Sequence, residues 1–66
     1  MYTVFVNKEN RKVFMENDSN ESIFEYKSKP HIYEQMYEGT KNQCLRFMDE
    51  LDDAIDYKIE DYGKYK

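Results

Sequence analysis

Hydrophobic and polar positions change period along the chain, and the changes divide it into elements. From Tyr2 to Val6 the residues read Tyr-Thr-Val-Phe-Val, and Lys12-Val13-Phe14-Met15 repeats that character across the polar segment Asn7-Lys8-Glu9-Asn10. β-Branched and aromatic runs fit a pleated, half-buried surface, so the pair predicts a β-hairpin. The connection lacks Asn-Gly or Asp-Gly, which points to a four-residue or bulged turn with Asn10 left-handed.

A polar break, Glu16 to Glu21, precedes Ile23-Phe24-Glu25-Tyr26, which reads as a short helix near 20–28 capped by Asp18 or Ser19, with a strand as the alternative. Beyond Pro30 the chain alternates over 31–38 as a strand does, placing Ile32, Glu34 and Met36 on one face and Tyr33, Gln35 and Tyr37 on the other. Thr40-Lys41-Asn42-Gln43 then fits a capping box, in which hydroxyl and amide side chains satisfy each other's backbone donors. Cys44, Phe47, Met48, Leu51, Ala54, Ile55, Ile59 and Tyr62 recur at three- and four-residue steps, so the period predicts an amphipathic helix over about 41–57, with Tyr62 its furthest extent and Gly63 its stop. The expected fold is α+β: a small antiparallel sheet, made of the hairpin and a strand near 31–38, packed against a C-terminal helix.

Sixty-six residues make one domain with a small core, since a chain this short buries about 60% of its unfolded surface. Cys44 and His31 are the only residues of their types, so neither a disulfide within the chain nor a Cys/His metal site is available. Met1-Tyr2-Thr3-Val4 opens in strand-like sequence rather than the pattern of a signal peptide, an expectation of cytoplasmic location that the lone cysteine shares. A net charge of −4 disfavours direct binding to nucleic acid or an anionic membrane and favours a basic partner protein.

The carboxylates Asp49, Asp52, Asp53, Asp56 and Glu60 fall along the helix face away from the apolar stripe, with Lys58 as local relief. Like charges four residues apart cost a few tenths of a kcal/mol each, and near a helix C-terminus they also oppose the macrodipole. Solubility alone is served as well by a face of mixed sign, so the row is a candidate docking surface, with Tyr57 and Tyr37 as adjoining contacts. Metal binding is not expected, because a straight helix splays its carboxylates whereas calcium needs six to eight converging oxygens. Nor is a cofactor: the chain has no glycine-rich phosphate loop and no nucleophile elbow. Cys44 lies on the apolar stripe, which favours packing over reactivity, although the helix dipole could activate it and a Cys44–His31 dyad would need a strand-to-helix contact. Seven tyrosines exceed what a small core buries with hydroxyls satisfied, which predicts outward-facing tyrosine at a protein interface or a homodimer seam.

The short single domain, the lack of a catalytic signature and the run Asp49-Glu50-Leu51-Asp52-Asp53-Ala54-Ile55-Asp56, flanked by Glu60 and Asp61, resemble the small acidic proteins that phages and mobile elements use against host nucleic-acid-handling or defence machinery, such as anti-CRISPR proteins and nucleic-acid mimics. The resemblance implies action by occluding a partner's surface. The expected function is therefore a non-enzymatic inhibitor or adaptor, the alternative being a small structural or self-associating domain.

Overall fold

The computed structural model describes residues 1–54 and 57–59, with backbone alone at 52–54. Four strands and two helices follow in the order β1 (Tyr2–Asn7), β2 (Lys12–Asn17), α1 (Ser22–Lys27), β3 (Tyr33–Gly39), α2 (Lys41–Ala54) and β4 (Lys58–Ile59). The sheet runs β3-β1-β2-β4, with β1 antiparallel to both neighbours and β4 parallel to β2. The fold is α+β as the sequence predicts, but the sheet is mixed rather than antiparallel.

The hairpin forms because both runs bury side chains on two faces. Val4, Val6, Val13 and Met15 point to one side, where Cys44 and Met48 of α2 close the larger core. Phe5 and Phe14 point to the other and meet Ile23 of α1. Helices thus cover both faces, which is why β1 shows no buried-exposed alternation: Thr3 to Val6 are all buried.

The connection is the expected four-residue turn, yet the left-handed residue is Arg11 (φ 57°) instead of Asn10. Asn10 uses its side chain in an ordinary conformation to accept the Lys12 N–H (3.1 Å), and Asn7 accepts from Glu9 and Asn10, so the loop's donors are met before the chain must reverse. At α1 neither expected cap forms: the N-cap is Glu21, without a side-chain cap hydrogen bond. Asn20 accepts the Ser22 N–H (3.0 Å), because Asp18 is taken by the Thr3 hydroxyl (2.6 Å) and Ser19 bonds Asn17 (2.9 Å).

Two corrections concern the second half. In β3, Val4 pairs with Tyr37 but Phe5 pairs with Gln35, so Met36 is an extra, bulged residue. The bulge reverses the phase: Tyr33 packs on the Phe5 cluster and Tyr37 on the Val4 cluster, on opposite faces of the sheet rather than together. The helix, moreover, does not reach Tyr57. Its last described turn holds Asp52 and Asp53 with no basic residue, an arrangement the macrodipole disfavours. Lys58 and Ile59 instead pair with Lys12 and Val13, and Tyr57 and Ile59 pack on the larger core. Ile55, Asp56, Glu60, Tyr62 and Gly63 lie outside the described residues.

The start of α2 is as predicted. The Gln43 N–H donates to the Thr40 hydroxyl (3.2 Å) and the Thr40 N–H to the Gln43 side chain (3.0 Å), a complete capping box. Gly39 makes room for it, since a Cβ there would lie 2.6 Å from Gln43 Oε1.

Candidate functional site

The capping box fixes the rotational phase of α2 against the sheet. Cys44 and Met48 point inward, and Asn42, Arg46, Asp49 and Glu50 are exposed. Between this side of α2 and β3 lies an open groove of about 320 Å³, lined by Tyr37, Asn42, Gln43, Arg46, Phe47 and Glu50. Its aromatic wall is flat, with Tyr37 and Phe47 stacked at 4.8 Å between centroids and 11° between planes.

Of the predicted docking residues, Asp49 stands exposed on α2 and Tyr37 lines the groove beside Glu50. Asp52 and Asp53 belong to α2 by backbone, and Asp56 and Glu60 fall outside the described residues. Tyr57 is not brought to this surface. It sits at the β4 end of the sheet, with two strands between it and Tyr37's strand, and the Arg11 guanidinium is 5.6 Å from its ring centroid. Lys58 lies on β4 rather than on the helix, and Arg46, one turn before Asp49 and Glu50, has the spacing of a relieving partner within α2. Arg46 and Glu50 were legible as an i,i+4 pair; the groove they help line depends on the Met36 bulge, which brings Tyr37 to this face.

A second groove, of about 360 Å³, opens on the opposite face of β3, where Tyr26, Pro30 and Tyr33 form an apolar wall and Lys8, Lys27 and Glu34 stand around it. Its rings belong to the smaller core, in which Tyr26 lies 4.9 Å from both Phe14 and Tyr33, edge to face. Five tyrosines are described, namely Tyr2, Tyr26, Tyr33, Tyr37 and Tyr57, and all are half-buried against one core or the other. Intramolecular packing therefore accounts for most of the tyrosine surplus.

Cys44 is fully buried, its thiol donating to the Tyr2 carbonyl at 3.4 Å. Burial pushes the thiol pKa up; a backbone hydrogen bond at Gly39 opposes this, and the Asp18 and Glu38 carboxylates add to it. The helix dipole does not make it a ready nucleophile. His31 is exposed in the turn before β3, separated from Cys44 by the length of that strand, roughly 20 Å at 3.3 Å per residue, so the two do not form a dyad. Among the described residues no three His, Cys, Asp or Glu side chains cluster as metal ligands, and no helix is long and apolar enough to cross a membrane. Comparison with protein-family models, with curated proteins and with solved structures finds no match for this chain.

Proposed function

We propose that the protein is a non-enzymatic inhibitor or adaptor that docks the outer side of α2, with the groove beside Tyr37, onto a basic surface of a partner protein. The observation that carries this reading is the exposure of Asp49 and Glu50 on α2, next to an open aromatic-walled groove. A partner's lysines and arginines would meet the carboxylates at the rim, and a guanidinium could lie flat against the Tyr37–Phe47 pair. Arg46 sits in the same groove, so the complementary surface is basic with one acidic group opposite Arg46.

Reversing charge with Asp49→Lys and Glu50→Lys together tests this. The helix signal in circular dichroism should persist, while recovery of basic partners from host lysate, identified by mass spectrometry, should fall at least about tenfold, as losing two complementary charges implies. Undiminished recovery by the double variant would sink the proposal.

A further inference from the structure

We infer that the outer edge of β3 is a strand-addition site for an extended, basic segment of the partner protein. The inference rests on the docking proposed above and gives it a mode.

β3 ends the sheet, with β1 on one side and no further strand on the other among the described residues; the Tyr33 N–H is taken by the Lys29 carbonyl (2.9 Å), so the edge open to addition begins beyond it. Glu34, Gln35, Met36 and Glu38 are all exposed along it. The two grooves flank this strand on opposite faces, the Tyr37–Glu50 groove on the α2 side and the Tyr26–Tyr33 groove on the α1 side. Side chains of an added strand alternate between faces, so successive residues would reach one groove and then the other. Strand addition draws affinity from main-chain hydrogen bonds and specificity from pockets for alternate side chains, and this edge offers both.

Charge selects the occupant. β3 carries Glu34 and Glu38 and no lysine or arginine, whereas the grooves are mixed, with Arg46 beside Glu50 on the α2 side and Lys8 and Lys27 on the α1 side. A second copy fits badly, because its β3 brings two more carboxylates and no lysine or arginine to the same edge. Acidic residues and a bulge are common guards of an exposed edge, and these guards repel the chain's own copy while attracting a strand bearing lysine or arginine. The fitting segment places basic residues beside Glu34 and Glu38 and apolar residues toward Tyr26, Pro30 and Tyr33.

The test uses the full chain, nitrogen-15 labelled, and a blocked eight-residue peptide of alternating lysine and valine. Addition of the peptide should shift the β3 amide resonances and slow their hydrogen exchange. A fully N-methylated twin, which keeps the charges but donates no main-chain hydrogen bond, should bind at least about tenfold more weakly. Equal binding of the twin, or shifts confined to the Asp49–Glu50 side of α2, would overturn strand addition and leave the acidic docking face standing. β3 shifts that grow with protein concentration before peptide is added would identify a second copy as occupant and likewise overturn it. Asp49→Lys alone tests the acidic face independently, because Asp49 lines neither groove beside β3.

Discussion

Thr3 is fully buried, and its hydroxyl reaches Asp18 at 2.6 Å across the end of the hairpin, where the Asp18 N–H also donates to the Met1 carbonyl (3.0 Å). The two partners differ in what they lose. Thr3→Val leaves a part-buried carboxylate that keeps some access to water, whereas Asp18→Ala strands a buried hydroxyl with no acceptor. Because an unsatisfied buried group costs about 1–3 kcal/mol against about 1 kcal/mol for an ordinary hydrogen bond, Asp18→Ala should destabilise the fold more than Thr3→Val in urea titrations. Equal losses would show that the Thr3 hydroxyl finds another acceptor once the carboxylate is gone. The same pair explains why Asp18 was misread as a helix cap: Asp and Ser prefer caps by local chemistry, but a partner fifteen residues away in sequence outcompeted the local one.

At the scale of elements, the parts legible in the sequence were those whose signals are local. The hairpin declared itself through two β-branched runs, and α2 through the Thr40–Gln43 box. The bulge at Met36 left no such trace, because Ile32, Met36, Tyr33 and Tyr37 give both phases of the alternation apolar bulk. β4 was hidden for a related reason: Ile59 continues the helical stripe by spacing, and only the pairing of Lys58 and Ile59 beside Lys12 and Val13 shows that it reaches the core as a strand. The docking residues were legible as charge and illegible as a surface, since the groove depends on which face Tyr37 occupies. Gly39 belongs with the local signals, and its role can be measured. Gly39→Ala should displace the Gln43 side chain from the box and cost about 1 kcal/mol, the usual worth of a helix cap. In the Gln43→Ala background the same change should cost less, the residual being the 3.0 Å approach to the Tyr37 ring. Additive losses in thermal melts would show that the box and the glycine act separately.

For the molecule as a whole, Cys44 reports on opening. No crevice leads to a fully buried thiol, so labelling by iodoacetamide should proceed only when α2 leaves the sheet, at a rate reduced by the opening equilibrium. Its protonation gives a pH dependence of definite sign. The folded thiol holds its proton above the ordinary value of 9.0, so above that pH the unfolded chain releases a proton that the folded chain retains. The contribution is fully present below the ordinary thiol range and is lost as pH rises through the folded value. Melting temperature should therefore fall more steeply between neutral and alkaline pH in the wild type than in Cys44→Ala, after allowance for the cavity the variant creates. Parallel slopes, or labelling as fast as in a denatured control, would contradict the buried placement.

The extra residue at Met36 divides one strand between two layers: residues on its N-terminal side serve the aromatic core under α1, and Tyr37 serves the core under α2. A regular strand would have committed both tyrosines to a single layer. Because β3 is shared in this way, loosening either layer withdraws a wall from the other. The thermodynamic consequence is a chain of 66 residues whose two small cores open together, as one cooperative unit rather than two marginal ones.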